Sequence, residues 1–429
     1  MAHRIAECVD QKGGRTFFVG GFVRDLLMGH DNKDVDIEIH GIHPQQLEEI
    51  LDTLGKRTQM GVSFGVYGLR GYDLDIAMPR QEEATGRGHK DFKIFVDPFL
   101  GTFRAARRRD FTMNAMMQDV LTGEIVDHFH GQEDMHNGIL RHVNSDTFVE
   151  DPLRVLRGAQ FAARFAFSIA DETIELAKTM DLTTLASERI LGELEKALLK
   201  AEKPSVFFEE MQRMEQLKDW FWELSAAAAF GADAWTHTMQ VLDAAAGLRR
   251  EAENPMGLML AALTQGLQKD SLMHFLKKIT SETKILRYVP NLVQLHQQPD
   301  ALAAAEASQT EWNHLFDQAI CPADLLLLAK AVRQVREGRT GGILAAESSL
   351  QEQLQEKLQE NLWQHLQKFQ EMMAKPCVMG ADLVAAGLKP GPQFSEILVY
   401  AHELRLAGVE KTEALEKTLA YAKTCLQEA

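Results

Sequence analysis

The sequence predicts a small α/β head, a mixed sheet with helices, followed by an extended all-α neck, body and tail. Up to about residue 140, short apolar runs alternate with turn residues, a pattern typical of strands with a few helices between them. From about residue 148 onward, apolar residues recur at three- and four-residue spacing, as on the buried face of a helix. With 429 residues, the chain is long enough for several domains with sizeable cores.

The elements of the head follow from local composition. Strands are predicted at Arg15–Val19, Val35–Ile39, Val62–Leu69, Tyr72–Ala77, Lys93–Val96 and Gly123–Val126, and helices at Val23–Met28 and Gln45–Leu54. In the helical region, segments 225–247 and 349–373 combine strong helix formers with apolar periodicity, which argues against disorder. Boundaries are predicted near Pro204, Pro255, Pro322 and residues 338–342.

Composition excludes several classes of protein. There is no stretch of about 18 uncharged apolar residues, so we expect no membrane span. We also expect no secretion signal, because Arg4, Glu7 and Asp10 interrupt the N-terminal segment. The four cysteines are Cys8, Cys321, Cys377 and Cys425. Their scatter fits no metal site and suits reduced thiols in a cytoplasmic protein.

The net charge of −16 counts against a simple nucleic-acid binder, because phosphate contact favours a basic surface. Basic residues are nevertheless crowded into one interval: Arg87, Lys90, Lys93, Arg104, Arg107, Arg108 and Arg109. Such a run can be a solvated surface. Since this run ends inside a motif with two adjacent arginines, we favour a role in binding phosphate.

The most informative motif is Gly20-Gly21-Phe22-Val23-Arg24-Asp25, which precedes Asp34-Val35-Asp36 by a short gap. Glycine lacks a Cβ, so its backbone N–H groups can approach a phosphate closely. Alternation along a strand places Asp34 and Asp36 on one face, where a divalent cation, usually Mg²⁺, would relieve their repulsion. Alone, an Asp-x-Asp pair is more often a pair of solvated strand residues. Beside the Gly-Gly turn, it predicts a nucleotidyl-transfer site.

Three further motifs supply candidate ligands. Arg108-Arg109-Asp110 is followed by Asn114; the guanidinium groups suit phosphate oxygens, and the other two side chains suit ribose hydroxyls or the orientation of the arginines. The second motif, Asp73-Leu74-Asp75, repeats the alternating carboxylates. Its Asp75 is a candidate third metal ligand, although a structural role is the more common outcome for such a residue.

In the third motif, Asp151 and Arg154 stand three apart, on one face of a helix whose first turn tolerates Pro152. On an isolated helix they would form a surface ion pair. Facing a nucleotide pocket, they could read the amine and acceptor edge that cytosine and adenine share. Glu188, Arg189, Glu193 and Lys196 form a further cluster at helical spacing, which by itself indicates a charged face.

Together these elements resemble the class II tRNA nucleotidyltransferases (the bacterial CCA-adding enzymes) and the related bacterial poly(A) polymerases. The resemblance covers residues 15–200 continuously. It includes the linking segments 86–92, 127–141 and 162–165. The C-terminal half matches less specifically, through segments 379–383 and 387–392, for which RNA contact or packing is expected.

The resemblance implies roles for individual residues. Gly20, Gly21 and Arg24 would handle the triphosphate, and Asp34 and Asp36 would be the catalytic pair that binds Mg²⁺. Arg108, Arg109 and Asp110 would contact ribose and phosphates. Asp151 and Arg154 would act as a protein template for C and A, supported by Arg157. Residues 80–107 would correspond to the loop tied to the switch from C to A, residues 127–141 to a hinge, and Glu188-Arg189 to a brace.

The expected domains are a catalytic head (1–140), a neck with the base-template helix (141–203), a helical body (204–345) and a tRNA-binding tail (346–429). One departure concerns the body. His237 resembles the start of a phosphohydrolase domain of the HD type, but Thr264-Gln265 stands where its His-Asp pair is expected. A hydroxyl and an amide cannot replace those metal ligands, so we expect an inactive remnant in which His237 is an ordinary helix residue.

The sequence therefore predicts template-independent addition of CMP, CMP and AMP to the 3′ end of tRNA from CTP and ATP, with release of pyrophosphate. The expected location is cytoplasmic, with no stable protein partner. Relatives that add only A, add only CC, or make poly(A) share the same head and remain alternatives. A catalytically silent tRNA-binding protein is the alternative of another class; the complete set of Asp34, Asp36, Arg109 and Asp151 counts against it.

Overall fold

The computed structural model describes residues 1–59, 66–84, 92–228, 232–340 and 345–427. Within these residues the chain forms two compact units, Met1–Trp222 and Glu223–Ala429. The first unit contains every strand of the described residues, and the second is helical. This architecture confirms the predicted fold class. The finer division into head, neck, body and tail stays a prediction.

The first unit combines strands with mostly short helices. Its strands are β1 (Arg15–Val19), β2 (Val35–His40), β3 (Arg57–Gln59), β4 (Val66–Leu69), β5 (Leu74–Ala77), β6 (Arg80–Ala84), β7 (Phe92–Val96), β8 (Met117–Asp119), β9 (Ile125–Val126), β10 (Ile139–Leu140) and β11 (Ser168–Ile169). Its helices are α1 (Ala2–Asp10), α2 (Gly21–Leu27), α3 (Pro44–Leu54), α4 (Thr102–Arg107), α5 (Gly131–His136), α6 (Ser145–Phe148), α7 (Leu153–Phe165), α8 (Asp171–Lys178), α9 (Ser187–Lys200) and α10 (Ser205–Arg213). A 3₁₀ turn spans Thr112–Asn114.

Seven strands form one mixed sheet in the order β3-β4-β5-β2-β1-β8-β9. β2 pairs with β5 in parallel and with β1 in antiparallel orientation. The parallel register sets Asp36 opposite Asp75. β6 and β7 form a separate antiparallel hairpin, and β10 pairs with β11. The topology therefore brings the second and fifth strands, which carry candidate ligands, side by side.

Strand alternation separates the core from the site. Ile37 and Ile39 of β2 are fully buried against α1 and α3, in a cluster that includes Leu47 and Leu51. Because successive side chains of a strand point to opposite faces, Asp36 and the other even-numbered residues of β2 face away from this core. One face of the strand thus packs the head, and the other carries polar groups.

Helices α7, α9 and α10 complete the first unit. α7 packs against both α9 and α10, and its buried residues Val155, Leu156, Ala159 and Ala162 form an apolar stripe at helical spacing. This packing fixes the direction in which the charged residues of α7 and α9 point.

The second unit is built from helices. They are α12 (Ala232–Leu248), α13 (Pro255–Thr264), α14 (Lys269–Ile279), α15 (Thr283–Leu295), α16 (Gln298–Ala304), α17 (Gln309–Gln318), α18 (Pro322–Thr340), α19 (Ala345–Ala374), α20 (Gly380–Ala385), α21 (Phe394–Leu406) and α22 (Lys411–Gln427), while α11 (Trp222–Ala228) starts at the last residue of the first unit. Across the described ranges, none of the helices combines the length and apolarity needed to cross a membrane.

The expected phosphohydrolase remnant lies on α12 and α13, which pack against each other. Thr264 is fully buried, and its hydroxyl donates to the Leu260 carbonyl oxygen at 2.6 Å. No group of three or more His, Cys, Asp or Glu side chains able to hold a metal ion occurs among the described residues. That this region lacks hydrolase activity stays a prediction.

Most predicted elements are found with small shifts. β1 has the predicted bounds, and β5 is two residues shorter than expected. Of the predicted strand Val62–Leu69, residues 66–69 form β4, and residues 62–65 lie outside the described residues. Asp73 was expected inside the strand Tyr72–Ala77 but lies one residue before β5. Asp34 lies one residue before β2, outside the predicted strand Val35–Ile39, although the alternation argument treated it as a strand residue. Pro255 and Pro322 begin α13 and α18, as boundary residues should.

Candidate active site

One open cavity of the first unit, with a volume of about 1270 Å³, gathers the candidate site residues. Its lining includes all of them: Gly20, Gly21, Arg24, Asp34, Asp36, Arg108, Arg109, Asp110, Asn114, Asp151, Arg154 and Arg157. Asp75 lines the same cavity. Residues separated by more than 130 positions in the chain are therefore brought to one surface.

The Gly-Gly turn connects β1 to α2. Gly20 has φ 65° and ψ −135°, a conformation that favours glycine. A Cβ atom there would lie 3.2 Å from Nη1 of Arg109 and 3.9 Å from an Asp36 carboxylate oxygen. Any larger residue would therefore crowd the space between the turn, the arginine and the carboxylate.

The carboxylates form the acidic end of the cavity. Asp36 lies on β2, Asp75 is its partner on β5, and Asp34 lies just before β2. The pKa of Asp36 is raised, first by burial and then by repulsion from Asp75 and Asp34, and the nearby Arg109 only partly offsets this.

A cation is the natural counterpart of this acidic end. Repelling carboxylates fit a divalent ion, which would remove the repulsion, and Mg²⁺ is commonly held by one or two carboxylates plus substrate phosphates. No group of three or more His, Cys, Asp or Glu side chains placed to hold a metal ion occurs among the described residues, so phosphate and water would complete the coordination of an ion held by one or two of these carboxylates. The donor set therefore fits a metal ion bound together with a nucleotide.

Glu38 and His40 continue the polar face of β2 beyond Asp36. Glu38 is 3% exposed; it accepts from Nε2 of His40 at 2.9 Å and lies 3.5 Å from Nη2 of Arg109. Burial alone would raise the pKa of Glu38, but His40 and Arg109 hold it below its usual value. Glu38 thus holds Arg109 beside Gly20 and Asp36.

Arg24 lines the cavity, and other side chains of the protein bind its guanidinium group. Its guanidinium donates to Asp25 Oδ1 at 2.7 Å and to Asn114 Oδ1 at 2.8 Å. It also lies over the rings of Phe161 and Phe165, 5.4 and 4.7 Å from their centroids. The Arg24 guanidinium is therefore held by other side chains of the protein, and its predicted contact with the triphosphate stays a prediction.

Asp110 connects Arg24 and Asn114 to α7. One carboxylate oxygen accepts from Nε of Arg157 at 2.7 Å, and the other accepts from Asn114 Nδ2 at 3.0 Å and from the Phe111 amide at 2.7 Å. Burial by itself would raise the pKa of Asp110, but Arg157 and these hydrogen bonds lower it below its usual value. One continuous network, which we call the framework, thus joins Arg24, Asn114, Asp110 and Arg157.

Arg154 lies in the first turn of α7, whereas Asp151 lies two residues before the helix, so the prediction that both stand on one helix face is wrong. The Asp151 carboxylate instead accepts from the Leu153 amide at 3.1 Å, and both residues line the cavity. Nη2 of Arg189 donates to both carboxylate oxygens of Asp151, at 3.1 and 2.9 Å. Arg154 donates from Nη1 to the Thr147 carbonyl at 2.7 Å and from Nη2 to the Arg108 carbonyl at 2.8 Å. These contacts use two of the five guanidinium donors and orient the group, while the other donors can serve a ligand.

The cavity differs in charge from the chain as a whole. Its lining includes thirteen Arg and Lys residues and nine Asp and Glu residues, although the chain carries a net charge of −16. The lining includes Arg104 and Arg107 of the predicted basic run, and it adds Lys33, Arg80 and Lys200, for which no individual role was predicted. A polyanion would therefore find a local basic surface on an acidic protein.

Some site residues were missed from the sequence, and some predictions lie outside the described residues. Glu38 continues the alternation that marks Asp34 and Asp36, so the same pattern could have identified it. The turn that Asn32 forms with the Asp34 amide is local and common for asparagine, but its contact with Asp25 depends on how the loop folds and carries no sequence signal. Residues 85–91 of the predicted loop 80–107, which include Arg87 and Lys90, lie outside the described residues.

Comparison with known proteins gives three concordant findings. The profile of one family, the poly(A) polymerase head domain, matches residues 16–141. A multifunctional CCA protein of Haemophilus ducreyi is 36% identical over 311 residues, covering 68% of this chain and 72% of that protein. One of Methylobacillus flagellatus is 35% identical over 303 residues, covering 67% and 70%.

Solved structures agree in fold. A CCA-adding enzyme in complex with ATP has a TM-score of 0.70 at 22% identity, covering 97% of this chain and 94% of that one. The Thermotoga maritima CCA-adding enzyme complexed with tRNA has a TM-score of 0.66 at 20% identity, with the same coverage. At these identities the likeness extends the agreement in fold to nearly the whole chain.

Proposed function

The chain belongs to the family that unites the multifunctional CCA proteins with the poly(A) polymerases, and from that premise we propose that it adds CCA to the 3′ end of tRNA. The substrates are CTP, ATP and a tRNA whose end is incomplete. Each step joins the 3′-hydroxyl of the RNA to the α-phosphate of a nucleotide and releases pyrophosphate. No nucleic-acid template takes part.

The observation that carries this proposal is the shared lining of one cavity. Carboxylates suited to a metal ion, arginines suited to a triphosphate, and the Asp151/Arg154 pair suited to a base edge all line the same space. A binding protein without chemistry would have no use for the Asp36 carboxylate, whose pKa is raised by burial and by its carboxylate neighbours and whose charge therefore opposes folding unless a cation is bound.

In this proposal Asp34 and Asp36 hold Mg²⁺, and Asp75 stays a candidate ligand. When bound, the ion supplies Lewis-acid stabilisation of the phosphate oxygens and lowers the pKa of a bound hydroxyl. Arg108 and Arg109 bind phosphate oxygens through their planar guanidinium groups. The Gly20–Gly21 turn lets the phosphates approach the backbone, since no Cβ fills the space beside Arg109.

Base selection is assigned to Asp151, which precedes α7, and to Arg154 in its first turn. The Asp151 carboxylate accepts from the exocyclic amine of cytosine or adenine, and Arg154 donates to the neighbouring ring acceptor. Uracil and guanine present the wrong edge and would leave these polar groups unpaired, which is the costly outcome in a partly buried site. Arg157 supports α7 from behind through Asp110. Asp110 and Asn114 then act by orienting arginines, with contact to the ribose left as a further prediction.

The remaining assignments concern location and the helical region. We place the protein in the cytoplasm, where reduced thiols and tRNA substrates occur together. The helical region would grip tRNA through the shape of its A-form backbone. Because Thr264-Gln265 cannot supply metal ligands, this region would have no phosphohydrolase activity, even though relatives bear the name multifunctional.

The test is primer extension with Mg²⁺ and each nucleotide alone and together. The primers are tRNA transcripts that end before CCA, after C and after CC, plus an unstructured oligo(A). Growth of every tRNA to the same CCA end, with oligo(A) unchanged, is expected. Extension of only the CC-ending tRNA, a halt after two C, or long A tails on oligo(A) would instead identify the A-adding, CC-adding or poly(A)-making relative. No product at all would favour the silent tRNA-binding alternative.

A further inference from the structure

The two carboxylates assigned to the metal ion are held in different ways. Asp36 lies within β2 and is fixed by its register opposite Asp75 on β5. Asp34 lies one residue before β2, where the strand pairings have not begun, and its side chain is exposed. The sheet therefore positions one carboxylate and leaves the other to the loop that follows α2.

Asn32 is the residue that fixes this loop. Its Oδ1 accepts from the backbone amide of Asp34 at 2.9 Å, and its Nδ2 donates to Oδ2 of Asp25 at 2.8 Å. The first contact is the local turn that asparagine commonly forms with the amide two residues on. The second is not local, because Asp25 belongs to α2, seven positions away.

Asp25 is itself firmly anchored. It is 5% exposed, and its other oxygen accepts from Nε of Arg24 at 2.7 Å and forms an ion pair with Nη2 at 2.6 Å. Arg24 is in turn bound by Asn114, which donates to Asp110. Hydrogen bonds thus run without a break from the buried framework of α7 to the amide of Asp34.

We propose that Asn32 is a positioning residue for the metal site: it ties the Asp34 loop to the buried Arg24–Asp25 pair and so holds the Asp34 carboxylate ready to bind the ion. This inference rests on the metal assignment to Asp34 in the proposed function. It gives the Gly-Gly-x-Val-Arg-Asp motif a second task, since its Arg and Asp support a metal ligand from behind. Groups that orient metal ligands through hydrogen bonds commonly change affinity by about tenfold or more when removed.

The direct test is binding of Mn²⁺ to the full-length protein without nucleotide, followed by the paramagnetic resonance signal of free Mn²⁺. Asn32→Ala should weaken binding about tenfold. Asn32→Ser retains a hydroxyl that can accept from the Asp34 amide but cannot reach Asp25, so it should also weaken binding. In extension assays, both variants should need more Mg²⁺ for half-maximal rate and approach the wild-type rate at high Mg²⁺.

Two controls separate the possible failures. Asn254→Ala removes a similar asparagine contact, to the Gly257 amide at 2.9 Å, in the second unit, and should leave Mn²⁺ affinity unchanged even if stability falls.

Asp34→Ala, the second control, should lose Mn²⁺ binding at this site. If Asp34→Ala binds Mn²⁺ like wild type, the metal assignment is wrong and this proposal falls with it. If Asp34→Ala loses the site but Asn32→Ala or Asn32→Ser binds like wild type, the tie to Asp25 is unnecessary and the proposal alone is overturned. Thermal unfolding of each variant confirms that it is folded.

Discussion

Asp36 and Asp110 are both aspartates on the wall of one cavity, yet their pKa values shift in opposite directions. Burial raises both, but Asp36 meets further carboxylates whereas Asp110 meets Arg157 and two hydrogen-bond donors. The cavity therefore has an acidic end whose charges are left for a cation and a framework end whose charges are already paired. The difference separates residues that we propose to bind a catalytic metal ion from residues whose charged groups bind one another.

The largest expected effect comes from the acidic end. Asp36→Asn, or Asp34→Ala, should lower the rate of nucleotide addition by more than about 10³-fold, since a metal ion contributes several kcal/mol to such a reaction. tRNA binding, measured by filter retention, should be largely kept, because neither residue belongs to the basic part of the lining. Retained turnover in either variant would refute the metal assignment.

A matched control lies outside the cavity. Asp119 accepts from Arg15 at 2.8 Å and from the amides of Leu121 and Thr122, and it does not belong to the lining. Asp119→Asn should therefore cost stability but keep the rate of addition. A large loss of rate in this variant would mean that the rate responds to general destabilisation and not to the acidic end.

A substitution at the framework end should lower the stability of the protein and should not act specifically on nucleotide addition. Asp110→Asn leaves Arg157 without its closest carboxylate partner and should lower the free energy of unfolding by about 3 kcal/mol, the cost of breaking a buried ion pair. Urea unfolding of the metal-free protein measures this. Asp110→Asn with unchanged stability would show that Glu193, 3.8 Å from Arg157, compensates for the loss, and the contrast between the two ends would weaken.

The residues proposed to select the base should give an effect of intermediate size. Asp151→Ala should raise the use of UTP relative to CTP by about 10- to 100-fold, because one paired base contact contributes about 1–3 kcal/mol of discrimination. Single-nucleotide extension of a tRNA lacking CCA gives the ratio. Glu195→Ala, an exposed change on α9 outside the lining, is the matched control. An unchanged ratio in Asp151→Ala would refute the template assignment.

The sequence predicted the acidic end better than the framework end, for a physical reason. Asp34 and Asp36 follow a short strand pattern, and β1 could be bounded because its apolar run ends at a glycine pair. β8 was not predicted because Met117–Asp119 carries little strand composition and forms through its pairing with β1. Tertiary contact created this element, not local preference.

The same distinction applies to single residues. The motif containing Arg24 was found, but the aromatic rings that pack on its guanidinium were not, because Phe161 and Phe165 come from a helix more than 130 residues later. Asn32 likewise gains its role only when the loop meets α2. Glu38 was the avoidable omission, since it extends the alternation of Asp34 and Asp36 along β2.

The smallest and most discriminating effect is the pH dependence of stability without metal. Asp110, with its lowered folded-state pKa, contributes stability that is fully present above its unfolded pKa of about 4 and is lost as the pH falls through its folded pKa. Asp36, with its raised folded-state pKa, opposes folding at neutral pH, and this penalty disappears as the pH falls through that raised value towards about 4.

Asp36→Asn should thus be slightly more stable than wild type at pH 7, within about 1 kcal/mol, and equal to it near pH 4. The deficit of Asp110→Asn should persist to pH 4 and close only below it. Urea unfolding in EDTA across this range measures both gaps. A deficit of Asp110→Asn that closes above pH 4, or an advantage of Asp36→Asn that survives at pH 4, would mean that the two aspartates do not differ in the way their neighbours indicate.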